Sequence, residues 1–291
     1  MTEISIRVDG GQLTALDHGG TGQPVLLVHG SGHNAAAWGD VAAALVPEHR
    51  VVAVDLRGHG QSNADSATAE QYWQDLATVV RALGWQRPVL AGHSTGGYAV
   101  TAVAAAGLVT PAALCVVDGL VLDDRTTTAR ALARFRTPEA AAELVRVFGY
   151  GLEFDAAGMH AWIDAQVAAA PADPLNAGAD PRLVHAVAAR AFRPAGPGRF
   201  VRRPTTAEIA ATTTADLGAP VYPGVDIYDR VTCPLTIVLP DGGFYAHRRD
   251  EVARIVGAAP GRRLVELVGG HNVVMTHPAE VAAVIRKLAC H

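Results

Sequence analysis

The chain predicts an α/β fold: a mostly parallel, doubly wound sheet, helices on both faces, and an inserted all-helical cap. Three observations carry this expectation. Continuous apolar runs alternate with helical stretches through the first 120 residues. From residue 121 to residue 230 the apolar runs disappear, and helical stretches are joined by turns rich in Pro, Gly and Asp. From residue 231 the alternation resumes. Strands that are apolar without alternation are buried on both faces, the condition of a parallel sheet covered by helices. The expected division is a core domain of residues 1–120 and 231–291, with a cap (lid) domain at 121–230.

In chain order, residues 4–8 and 12–17 alternate apolar and polar around Asp9-Gly10-Gly11, a hairpin signature. Residues 25–28 are an apolar strand ending in His29-Gly30, followed by a helix at 36–45 and a strand at 50–55. Residues 70–83 have helical period and open near Thr68, an N-cap type, with acidic residues in the first turn. A strand at 88–91, a helix at 97–104 and a strand at 113–117 follow. In the cap, helices are expected at 138–148, 156–169 and 181–192. The core then closes with a strand at 234–239, a helix at 249–256, a strand at 264–268 and a helix at 278–288.

Composition bounds the function. The chain of 291 residues is 49% hydrophobic and 18% charged, as a globular protein is. A net charge of −4 argues against nucleic acid as the main partner. Cys115, Cys233 and Cys290 are scattered and show neither a disulfide framework nor metal-ligand spacing. Met1-Thr2-Glu3-Ile4-Ser5 has no basic region leading into an apolar one, and no apolar run is long enough to span a bilayer. The expectation is a soluble cytoplasmic protein without a membrane partner. Whether it forms a homodimer stays open.

The pentapeptide Gly92-His93-Ser94-Thr95-Gly96 fits G-x-S-x-G between a strand and a helix. A serine at such a turn exposes its hydroxyl at the sheet edge. The stretch has no phosphate-loop lysine and is not a dinucleotide fingerprint. The histidines lack metal-ligand spacing, so no cofactor and no metal are expected.

Four motifs in order are His29-Gly30-Ser31-Gly32, Asp55-Leu56-Arg57-Gly58-His59-Gly60-Gln61-Ser62, the turn at Ser94, and Gly270-His271 after the last strand. With them the chain resembles the α/β-hydrolase fold superfamily over nearly the whole sheet domain. The resemblance implies a nucleophile at Ser94, a base at His271, and oxyanion-binding amides at Ser31 and Thr95. It implies that the loop at 55–62 is structural. The family's usual acid position falls on Gly243, a departure. Asp241 is the carboxylate left in that loop, within a strong turn signal. Asp118, 24 residues after Ser94, stands where haloalkane dehalogenase-like and macrolactone hydrolase-like branches carry the acid. Asp118 is preferred and Asp241 is the alternative.

The implied activity is hydrolysis of a small-molecule carboxylic ester or lactone by a serine esterase or lactonase. Two rivals stay open. One is carbon–carbon bond hydrolysis, thioester or acyl-transfer chemistry, or lyase or cyclase chemistry on the same residues. The other is a receptor-like binding protein with a degenerate triad. His33, Trp38, Tyr98, Met159, Trp162, Phe244 and Tyr245 are candidates to line the pocket, although Met159 and Trp162 sit at a helical spacing that usually means packing. Arg190, Arg193, Arg199, Arg202 and Arg203 flank a Pro/Gly loop and are read as a solvated face, with an anion-binding role as the alternative.

Overall fold

A computed structural model describes residues 1–288; Cys290 lies outside them. Its main sheet has eight strands: β1 (Thr2–Val8), β2 (Gly11–Gly19), β3 (Gln23–Val28), β4 (His49–Val54), β5 (Val89–His93) and β6 (Ala113–Val117) come first. Three strands of a second sheet follow: β7 (Glu153–Asp155), β8 (Phe192–Gly196) and β9 (Arg199–Arg202). The main sheet then ends with β10 (Leu235–Gly242) and β11 (Arg262–Gly270), in the spatial order β1-β2-β4-β3-β5-β6-β10-β11. β2 is antiparallel to both neighbours and every other pairing is parallel.

The continuous apolar runs have a direct structural cause. Leu26 and Val28 of β3 face one core cluster, while Val25 and Leu27 face the other. The same period-two split divides β4, β5 and β6, so each strand is buried on both sides. On one face lie α2 (Gln71–Ala82) and α3 (Thr95–Ala105), and on the other α1 (Gly39–Leu45), which meets α11 (Pro278–Leu288). Truncating a fully buried residue such as Leu27 to alanine costs about 2–5 kcal/mol.

Between β6 and β10 the chain forms α4 (Arg125–Ala133), α5 (Pro138–Phe148), α6 (Ala156–Ala169), α7 (Pro181–Arg190) and α8 (Thr206–Ala211). Thr137, Asp155 and Asp180 cap α5, α6 and α7 by accepting first-turn amides, and Pro138 and Pro181 occupy starts where no amide is needed. The expectation of an all-helical insertion is corrected here. β7, β9 and β8 form a three-stranded antiparallel sheet. Its strands are short, and β8 and β9 are joined through the Pro/Gly stretch at 194–198, which reads locally as a turn between helices. The helix expected to run to residue 192 accordingly ends at Arg190. Two further helices remain, α9 (Arg249–Gly257) and α10 (Val273–Thr276). Among the described residues no helix is long and apolar enough to cross a membrane.

Candidate active site

Strand order reverses between β3 and β5, since β4 lies on one side and β6 on the other. Loops leaving the carboxyl ends of such strands diverge and open a crevice. Ser94 stands at this point, directly after β5, with φ 53° and ψ −127°. Asp118, directly after β6, has φ 42°. Among the described residues these two are the non-glycines with positive φ, a conformation that costs about 1–3 kcal/mol and persists only where surroundings enforce it. The enforcement is visible at the turn: a Cβ on Gly92 would sit 2.2 Å from the Gly96 carbonyl oxygen.

Asp118 is completely buried, and its Oδ2 accepts a 2.6 Å hydrogen bond from His271 Nδ1. That bond fixes the neutral ring with Nδ1 protonated, leaving Nε2 as an acceptor. The same carboxylate accepts the Phe244 amide at 2.8 Å and the Tyr245 amide at 3.4 Å. The Phe244 ring stacks on the His271 ring at 3.7 Å between centroids, 11° from parallel. A Cβ on Gly243 would lie 2.7 Å from both oxygens of Asp118. The carboxylate of Asp118 thus fills the space against residue 243 where a side chain would begin. Asp241 is exposed and its Oδ1 accepts the Gly269 amide at 2.9 Å, which ties down the β11 end.

Ser31 and Thr95 meet beside Ser94, but not as two free amides. The Ser31 amide donates to Thr95 Oγ1 at 2.7 Å, and the Ser31 hydroxyl lies 3.1 Å from the same oxygen. The Tyr72 hydroxyl, from α2, is 3.0 Å from it. Thr95 opens α3, so its own amide belongs to the first turn, whose N–H groups lack carbonyl partners within the helix. Burial pushes the Tyr72 phenol above its ordinary range, so it stays a neutral hydroxyl.

His93 buttresses the base, and the His33 ring stacks over His93 at 6.0 Å between centroids. His93 Nε2 donates to the His271 carbonyl oxygen at 2.8 Å, and its ring lies 4.7 Å from the His271 ring. Burial, then the nearby His271, holds His33 down at about 4, and His93 is also pushed well below its ordinary value. Both rings are neutral at neutral pH.

Ser94 and His271 open into a cavity of about 960 Å³, large enough for a drug-sized molecule. Of the pocket candidates, His33, Tyr98, Trp162, Phe244 and Tyr245 line it. Trp38 and Met159 do not. Trp38 is fully buried in the core cluster beneath α1, and Met159 packs against the Ile163 and Phe192 cluster under β8. The loop at 55–62 is braced as a unit: Arg57 pairs with Asp75 at 2.9 Å and His59 Nδ1 donates to the Arg57 carbonyl at 2.9 Å. Of the arginine cluster read as a solvated face, only Arg199 is exposed; Arg202 and Arg203 are buried and Arg190 and Arg193 half-buried. Arg190 reaches buried Asp55 at 2.8 Å and Arg203 Nε donates to the Gly58 carbonyl at 3.2 Å, joining the segment to the core loop, while Arg203 also pairs with Glu208 of α8. Tyr72 and Arg202 touch the site or its wall without a motif to announce them, and His93 lies within the motif at Ser94 without being singled out. Tyr72 carries only the helical spacing of α2, and Arg202 stood undistinguished among its neighbours. Among the described residues no group of three or more His, Cys, Asp or Glu is arranged to hold a metal ion.

The sequence model of the alpha/beta hydrolase family matches residues 25–284. Protein phosphatase methylesterase 1 of Mus musculus is 39% identical over 109 residues, which span 34% of this chain and only 28% of that protein. Among solved structures, E-2-(acetamidomethylene)succinate hydrolase superposes with a TM-score of 0.75 over 100% of both chains at 22% identity. The thioesterase domain from the curacin biosynthetic pathway gives 0.72 over 98% of this chain and 99% of that one, at 21% identity. At such identities the likeness is one of fold.

Proposed function

The chain belongs to the alpha/beta hydrolase family, and from that premise we propose that it is a serine hydrolase cleaving a small-molecule carboxylic ester or lactone. The observation that carries the reading is that strained Ser94 and His271, the latter held by buried Asp118, line one large cavity. His271 Nε2 takes the Ser94 proton as the hydroxyl oxygen attacks the carbonyl carbon. Asp118 holds the ring and stabilises the imidazolium that results. The negative charge on the former carbonyl oxygen is met by the amides of Thr95 and Ser31, the latter turning from the Thr95 hydroxyl to the substrate. The tetrahedral species expels the alkoxide, which takes the proton from His271. Water, deprotonated by the same ring, then cleaves the acyl-enzyme and releases the acid.

A methylesterase among the relatives supports ester over amide chemistry. Free thiols at Cys115 and Cys233 support a reducing, cytoplasmic setting. The test is labelling by a fluorophosphonate probe together with turnover of 4-nitrophenyl butyrate. Wild type is expected to do both and Ser94→Ala neither. Folded wild-type protein that resists the probe would remove the hydrolase reading.

A further inference from the structure

The cavity wall carries a cation with no anion. Arg190, Arg199 and Arg203 each meet a carboxylate, and Arg193 donates to the Ser62 carbonyl. Arg202 is 8% exposed and lines the cavity, yet among the described residues no carboxylate pairs with it. Its guanidinium makes one hydrogen bond, Nη1 to the Arg203 carbonyl oxygen at 2.9 Å, and its Nε is buried without a partner. The other charged groups at or beside the wall already have partners. Arg248 pairs with Asp123 at 2.9 Å, Asp118 holds His271, and Asp173 accepts the Leu175 amide and the Asn176 side chain.

The group is also held in place. Arg202 ends β9, where its amide donates to the Leu152 carbonyl and its carbonyl accepts the Gly151 amide, both at 2.9 Å. The guanidinium lies over the Tyr150 ring at 5.0 Å and the Trp162 ring at 4.7 Å, and both rings line the same cavity. Aromatic faces orient a planar cation while leaving its N–H edges free. Burial pulls Arg202 down to about 10, so it is protonated at neutral pH. An uncompensated buried charge is costly, and a fixed guanidinium fork matches a carboxylate through two parallel hydrogen bonds.

We propose that Arg202 receives a carboxylate of the substrate, so that the preferred substrates are esters or lactones bearing a free acid in addition to the scissile bond. This rests on the hydrolase reading above and narrows its substrate class. A single guanidinium between aromatic rings suits a monoanionic carboxylate better than a phosphate, which calls for more donors. The apolar body of the molecule would lie against lining residues such as Leu120, Leu132, Phe135, Leu144 and Met275.

Two substrate series locate the acid. In one it sits on the acyl side: 4-nitrophenyl hemiadipate and hemisuberate against their methyl esters. In the other it sits on the leaving group: 4-acetoxybenzoate against its methyl ester. In at least one series, the ratio of kcat/KM for the anion to that for its neutral ester is expected to fall tenfold or more in Arg202→Met. Arg202→Lys should fall less, and the surface control Arg199→Gln should keep the wild-type ratio. If the arginine variants fail to fold, wild-type inhibition decides: monomethyl adipate should compete at least tenfold better than dimethyl adipate. A ratio unmoved by Arg202→Met in both series, or equal inhibition by the two adipates, overturns the proposal. Calorimetric titration of monomethyl adipate into Ser94→Ala protein separates the two readings. Tight binding there, with no probe labelling of wild type, would sink the hydrolase chemistry and keep the carboxylate site. Labelling without binding would do the reverse.

Discussion

The floor and the roof of the cavity are built under different constraints. On the floor, β3, β5 and β6 are buried on both faces, and two residues with positive φ are locked by the backbone around them. On the roof, α4 and α5 contain no buried residue, and α6 buries only Ile163. The apolar side of α5 faces the cavity instead of a core: Leu144, Val147 and Phe148 line it, and Val147 and Phe148 are 49% and 42% exposed. A floor of this kind fixes what chemistry is done, because angstrom displacements there are expensive. A roof of this kind can change its side chains at little cost in stability, so it is where substrate choice can vary.

Substitutions on the floor should give the largest effects. Ser94→Ala is expected to lower kcat by roughly 10⁴-fold or more in a 4-nitrophenyl ester assay, with the melting temperature nearly unchanged. Asp118→Asn should lower kcat by about 10³–10⁴-fold through loss of the correct histidine tautomer, whereas Asp241→Asn should cost less than about threefold. The reverse order in parallel kinetics would move the acid to the β10 loop and break the account of the floor. Gly243→Ala should lower kcat by roughly 10-fold or more, because its methyl group intrudes on the Asp118 carboxylate. A fully active Gly243→Ala would show that the carboxylate has slack.

The floor should also be the acid-labile half. His29, His93 and His59 are buried and their neutral forms favoured, with His59 held at about 4. Each takes up a proton near 6.5 once unfolded, so the unfolded state binds more protons between that value and the folded one. Stability is therefore complete above pH 6.5 and is lost as pH falls toward 4, by about 3 kcal/mol for His59 alone. Calorimetric melting from pH 7.5 to 4.5 tests this; a flat melting temperature would refute it. The smallest effect belongs to the roof. Val147→Ala should change KM by about two- to fivefold while altering stability by less than about 0.5 kcal/mol, measured by urea unfolding.

The same division explains what could be read from the residues. Every strand of the main sheet announced itself by an apolar run or a hairpin; in β3 to β6 burial on two faces leaves little room for other residue types. The turn at Ser94 and the glycine at 243 were visible because close backbone contacts restrict residue type locally. The roof gave weaker signals. β7 is Glu-Phe-Asp and β8 holds Pro194 and Gly196, so neither carries strand periodicity. Trp38, near a motif loop, and Met159, in the cap, looked like pocket residues because an aromatic or a methionine carries no mark for the direction of its side chain. Tyr72 and Arg202 could not be separated from their neighbours, since their importance comes from partners 23 residues away in one case and from a missing partner in the other.

The contact between residue 243 and the Asp118 carboxylate also restricts mutational history. Two acids, one at each position, would claim the same volume beside His271. With both positions filled one side chain has to shift, so a chain carrying Asp at both 118 and 243 should be less active than a chain carrying either acid alone.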